Sequence, residues 1–125
     1  MKFKSLEIIK ALENQIETGY SLKIFRGYVA INKRGVEKLI DELYAKLPED
    51  VMAARIYLKN KKQQISNNKE NNIFDNIKEL ETQIESPLQF ATHVIVNVRE
   101  IEKLINKIYS SIPEEIQEAN FLDKQ

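Results

Sequence analysis

Ile9-Lys10-Ala11-Leu12-Glu13-Asn14-Gln15-Ile16-Glu17 reappears as Ile77-Lys78-Glu79-Leu80-Glu81-Thr82-Gln83-Ile84-Glu85, with seven of nine positions identical. Working outward, Val36-Glu37-Lys38-Leu39-Ile40 returns as Ile101-Glu102-Lys103-Leu104-Ile105, and Tyr44 returns as Tyr109. Leu47-Pro48-Glu49-Asp50-Val51 returns as Ile112-Pro113-Glu114-Glu115-Ile116, and Ala54 as Ala119. The first block is offset by 68 residues and the later ones by 65, so the second copy lacks three residues between its first helix and its strand, where a loop tolerates the loss. Two amphipathic helices can resemble each other through periodicity alone. Periodicity would not also hold a Pro-Glu pair, a tyrosine and a Val-x-x-Asn-x-Arg stretch (Val29, Asn32, Arg34; Val94, Asn97, Arg99) at one constant offset. The pattern predicts a tandem duplication: module 1 over 1–58, a polar linker over 59–72 with one apolar residue in fourteen, and module 2 over 73–122.

Each module reads the same way along its length. Leu6, Ile9, Leu12 and Ile16 are spaced three, three and four, one face of a helix, and Phe74, Ile77, Leu80 and Ile84 repeat that face. Gly19 and Ser86-Pro87 end these helices. Tyr28 to Ile31 and His93 to Val96 are β-prone, and the stretch before Gly27 is a candidate for a second strand turning at Arg26-Gly27. One strand per module leaves backbone polar groups without partners, so the two copies' strands are expected to pair with each other. Asn32 and Asn97 stand at helix starts as N-caps. Val36, Leu39, Ile40, Leu43, Tyr44 and Leu47, with Ile101, Leu104, Ile105, Ile108, Tyr109 and Ile112, form the expected core. Pro48 and Pro113 are expected to stop that helix and start a third, with Glu49-Asp50 and Glu114-Glu115 suited to its positive end. The fold class is therefore α+β and predominantly helical: two helix–strand–helix–helix repeats related by a pseudo-twofold axis, packed as one compact domain.

At 125 residues, each half is too short to bury a large core alone, which favours halves that pack together. Nineteen cations balance nineteen carboxylates, giving no electrostatic reason for a nucleic-acid or anionic-membrane partner. The absence of cysteine excludes disulfides, a thiolate metal site and a cysteine nucleophile. Residues 1–7 have no long apolar core and no window approaches a membrane span, so a cytoplasmic protein is the expectation.

Chemistry-bearing residues are few. His93 is the lone histidine, and metal sites need three or four ligands. No phosphate-binding or nucleophile-elbow glycine motif is present, so no catalytic residue, metal or cofactor is assigned. Arg34 and Arg99 recur just inside the second helix, where a cation opposes the helix dipole; ion pairs with Glu37 and Glu102 are the plain account. Lys59, Lys61 and Lys62 form a basic cluster that lacks interleaved aromatics.

The order Leu12-Glu13, Gly27-Tyr28-Val29-Ala30-Ile31-Asn32, Leu47-Pro48-Glu49-Asp50-Val51 and Ala54 resembles the N-terminal module of bacterial coiled-coil proteins described as DivIVA-like or ATP-synthase-B-subunit-like. Leu80-Glu81, Val94-Ile95-Val96-Asn97, Ile112-Pro113-Glu114-Glu115-Ile116 and Ala119 carry the same resemblance, so it covers both modules. Those proteins continue into a long coiled coil, where this chain has a second module instead. The resemblance implies a scaffold or assembly role associated with cell division. The expected function is a non-enzymatic protein-interaction or self-association module, with Arg34, Arg99, Tyr44, Tyr109, Lys59, Lys61 and Lys62 as candidate contacts. The alternative is a nucleic-acid-associated accessory protein using the linker lysines.

Overall fold

Asn32 and Asn97 each end a strand and begin a helix in the computed structural model, which describes residues 3–21, 26–61, 73–85, 89–90 and 92–124. Asn32 Oδ1 accepts the Gly35 N–H at 2.8 Å, and Asn97 Oδ1 accepts the Glu100 N–H at 3.0 Å. Each cap satisfies one of the donors that a helix start leaves unpaired. Around these two points the chain runs α1 (Lys4–Glu17), β1 (Tyr20–Ser21), β2 (Tyr28–Asn32), α2 (Lys33–Asn60), α3 (Ile73–Ile84), β3 (Gln89–Phe90), β4 (His93–Asn97), α4 (Val98–Ser110) and α5 (Glu114–Asp123). The protein is predominantly helical with a small antiparallel sheet.

The sheet order is β1-β2-β4-β3, with every pairing antiparallel. At its centre Ala30 lies opposite Ile95, Val29 opposite Val96, Ile31 opposite Val94, Tyr28 opposite Asn97 and Asn32 opposite His93. The ladder continues past both ends: Lys33 N–H donates to Thr92 O at 3.0 Å and Val98 N–H to Gly27 O at 2.8 Å. A turn does form at Arg26-Gly27, with Gly27 in the left-handed region at φ 81°. The strand that pairs across it is Tyr20–Ser21, whereas Leu22, Ile24 and Phe25 lie outside the described residues. Ser86-Pro87 and most of the linker, from Lys62 to Asn72, also lie outside them. Gly19 acts through close approach: a β-carbon there would collide with the Val29 side chain and come within 3.1 Å of Ala30 O. No larger residue fits between α1 and β2.

Helices cover one side of the sheet. α1 packs against α2 and α4, and α3 against α4 and α2. One buried cluster draws on both halves, joining Ile9, Leu12 and Leu43 to Ile77, Leu80 and Ile108 beneath Val29, Ile31, Val94 and Val96. Two expected core positions differ. Phe74 is 44% exposed and its ring stacks on Tyr44 at 5.9 Å, while Ile73 takes the buried place. Leu6 is only partly buried, with Ser5 and Ile8 inward of it. A core-facing stripe about 100° wide accommodates this rotation by one residue.

Pro48 does not stop a helix: α2 passes through it as one 28-residue helix, roughly 42 Å long at 1.5 Å per residue. The first half therefore has no separate third helix, contrary to the helix–strand–helix–helix expectation. In the second half the break does occur, between Ser110 and Glu114, with Pro113 as the N-cap residue of α5. The difference lies in the residues just upstream. Ala45 and Lys46 favour helix, whereas Ser110 and Ser111 hold the last carbonyls of α4 with their hydroxyls: Ser110 Oγ to Lys107 O at 3.0 Å, Ser111 Oγ to Lys107 O at 2.8 Å. Asn76 on α3 donates to Ser111 Oγ at 3.0 Å and secures the stop.

Continuity of α2 reassigns Asp50. It is buried, and its carboxylate accepts the Ser5 N–H at 2.7 Å, so it serves the N-terminus of α1 rather than of a helix beginning at Pro48. Phe3, the α1 N-cap residue, supplies no side-chain cap. Beside this bond the buried Ser5 hydroxyl has no partner among the described residues.

Two stability outcomes are expected in urea denaturation. Pro48→Ala restores a donor in the interior of α2 and should stabilise by about 1–3 kcal/mol; an unchanged midpoint would contradict a continuous helix. Asp50→Ala should cost about 1–3 kcal/mol by stranding the Ser5 N–H, while Ser5→Ala should be neutral or stabilising.

Candidate interaction surface

Alternation along a strand sends successive side chains to opposite faces. Val29, Ile31, Val94 and Val96 point to the helices and are at most 3% exposed. Tyr28, Ala30, His93 and Ile95 point the other way and are partly exposed, and Asn32 is exposed. Tyr20, paired with Ala30 at the edge of the same face, is 71% exposed. The small side chain of Ala30 lets the Tyr20 ring reach His93, with centroids 5.8 Å apart and planes tilted by 55°. His93 Nδ1 lies 3.0 Å from Thr92 Oγ1. The outer face is thus apolar and aromatic at its centre.

Cations stand at its two ends. The Gly27–Val98 backbone bond brings exposed Arg26 and Arg99 to one end, and the Thr92–Lys33 bond brings exposed Arg34 to the other. Arg34 and Arg99 form no ion pair with Glu37 or Glu102 among the described residues, contrary to the plain sequence account.

The remaining candidates fall elsewhere. Tyr44 and Tyr109 are partly buried structural tyrosines: Tyr44 hydrogen-bonds Glu81 of α3, and Tyr109 hydrogen-bonds Glu13 of α1. Burial first, then the neighbouring carboxylate, pushes both phenols well above the usual tyrosine range. Lys59 and Lys61 are exposed at the far end of α2, roughly 40 Å along the helix from the sheet. Lys61 Nζ lies 5.7 Å from the centroid of the Tyr57 ring, and Lys62 is outside the described residues. The structure therefore separates the lysine cluster from the arginine pair.

Between helices lie shallow grooves. One of about 260 Å³ separates α1 from α4, lined by Glu13, Ile16, Glu17, Glu102, Ile105 and Asn106. Its counterpart between α2 and α3 measures about 60 Å³ and carries Glu37, Asp41, Glu81 and Glu85 over Ile40 and Ile84. Among the described residues no three histidine, cysteine or carboxylate groups are placed to hold a metal ion. No described helix is long and apolar enough to cross a membrane.

The outward face escaped the sequence reading, which had already assigned the strands at Tyr28 and His93. Its signal was the alternation Tyr28-Val29-Ala30-Ile31, whose second set of residues belongs to a surface. No protein-family model matches the chain, and no curated protein or solved structure matches it.

The tyrosine–carboxylate bonds predict alkaline sensitivity. A phenol whose pKa is raised by folding contributes stability that is complete below its unfolded pKa of about 10 and is lost as pH rises further. Denaturation midpoints should fall above about pH 10, and Tyr44→Phe with Tyr109→Phe should flatten that fall. An equal pH dependence in the double variant would refute the assignment.

Proposed function

We propose that the protein is a non-enzymatic interaction module: two copies of one structural unit, paired about a pseudo-twofold axis, presenting the outer face of their shared sheet to a protein partner. The exposed Tyr20 beside half-exposed Tyr28 and Ile95 is the observation that carries this reading. An outward aromatic cluster on a sheet backed by helices on one side is costly to leave in water, and aromatic anchors dominate binding energy at interfaces.

The duplication is supported by reciprocity. With the 65-residue offset, Val29 and Val96 face each other as Ile31 and Val94 do, and Ala30 faces its own counterpart Ile95. Tyr44 bonds Glu81 while its counterpart Tyr109 bonds Glu13, which is the counterpart of Glu81. Every residue lining the α2–α3 groove corresponds to one lining the α1–α4 groove. The change of offset falls in the hairpin connections: Ser21 pairs with Val29 eight residues on, and Gln89 pairs with Val94 five residues on. The resemblance to the DivIVA-like N-terminal module adds an assembly role, with cell division as the setting to examine.

The test uses Tyr20→Ser with Ile95→Ser, two outward positions that leave the core untouched. Circular dichroism should be unchanged, and proteins cross-linked to the wild-type chain in cells should disappear from the variant. The same cross-linked set in both proteins would exclude the sheet face.

A further inference from the structure

The strand-bearing segments are one-sided in charge. Residues 18–36 and 86–99 contain five cations (Lys23, Arg26, Lys33, Arg34, Arg99) and no carboxylate. Subtracting them from the chain totals leaves fourteen cations and nineteen carboxylates, a net charge of −5 on the rest of the chain, which carries most of the helices. The net charge of zero thus conceals a basic sheet end and an acidic helical body. Zero net charge also removes the long-range repulsion that keeps like molecules apart.

The α1–α4 groove has the complementary character. Glu17 and Glu102 stand exposed at its rim with no ion-pair partner among the described residues, and Ile16 and Ile105 lie at its floor. Its α2–α3 counterpart is much smaller at about 60 Å³, and the α3–α4 groove of about 310 Å³ carries Lys103 and Lys107, which repel arginines, so the α1–α4 groove matches the sheet face best. We propose that the outer sheet face of one chain docks on the α1–α4 groove of a second copy, with Tyr20 entering the groove and Arg34 and Arg99 reaching its carboxylates. This rests on the reading of the sheet face as an interaction surface and names its occupant.

The surfaces joined are different, so the contact is head-to-tail, and growth continues unless the geometry closes a ring. Two strands of five residues and two of two residues, at about 3.4 Å per residue and about 4.8 Å between strands, cover roughly 230 Å². That is well below the roughly 800 Å² per partner of a stable interface, so the contact is weak and concentration-dependent. A single-stranded nucleic acid suits the face less well. Its backbone needs a continuous cationic track, whereas here the cations sit at two separate ends beside an acidic body.

Sedimentation velocity of the full chain across a concentration series, in low salt and in about 0.5 M salt, tests this. The expected result is an average mass rising from 14.6 kDa to at least twofold that value in low salt and returning to the single-chain mass in high salt. Arg34→Glu with Arg99→Glu should remain a single chain, as should Glu17→Arg with Glu102→Arg, both with wild-type circular dichroism. An equimolar mixture of these two variants should associate again, because each restores the charge match that the other lacks. A wild-type chain that stays single throughout, or a mixture that fails to associate, would overturn the proposal. So would a labelled oligothymidine that binds the wild type and not the Tyr20→Ser, Ile95→Ser variant. A single-chain wild type whose cellular cross-links still depend on Tyr20 and Ile95 would leave the interaction reading standing with another protein as partner.

Discussion

The antiparallel pairing of β2 with β4 is the constraint on which everything else hangs. Among the described residues each half supplies one five-residue strand and one two-residue strand, and an isolated hairpin of that size is marginal in water. Pairing the two long strands makes a four-stranded sheet with one apolar side. Because α2 starts at the end of β2 and α4 at the end of β4, the register also sets where both helices begin. A slip of one residue would turn Val29 and Ile31 toward water and Tyr28 and Ala30 toward Leu43, exchanging the two faces. The close approach at Gly19, the cross-half tyrosine bonds and the shared core all presuppose that register.

The same pairing explains which surface is offered. The long strands are central, and among the described residues the strands at the edges are two residues each. In the proposed interaction, recognition at this end of the molecule falls to the side chains of the open face.

Much of the architecture was legible in the sequence, because it is carried by local chemistry. The asparagine caps, the strands at Tyr28 and His93 and nearly the whole apolar stripe of α2 and α4 follow from capping and periodicity. What escaped depended on distant partners. Pro48 looked like a stop, but its propensity is overridden where Ala45 and Lys46 favour continuation and the following turns pack against α5. Asp50 looked like the first turn of its own helix, and only the fold brings Ser5 to it. Tyr44 and Tyr109 stood out as repeated aromatics and proved to be bridges between the halves. Arg34 and Arg99 stood out for opposing a dipole; their positions at opposite ends of one sheet come from the crossing of strands, which no spacing rule contains.

The two long strands belong to one chain, so residues that face each other across them are encoded independently. In a pair of identical strands the rotation axis would force the same side chains onto both ends. Here one end of the open face presents Tyr28 and Asn97 near Arg26 and Arg99, and the other presents Asn32 and His93 near Arg34. The inward positions keep nearly the same residue types, Val29 with Val94 and Ile31 with Val96, while two of the three outward ones differ, Tyr28 from His93 and Ala30 from Ile95, and the capping Asn32 and Asn97 are alike. The open face therefore has a polarity: the chemistry at one end differs from that at the other, so the proposed docking would have one preferred direction.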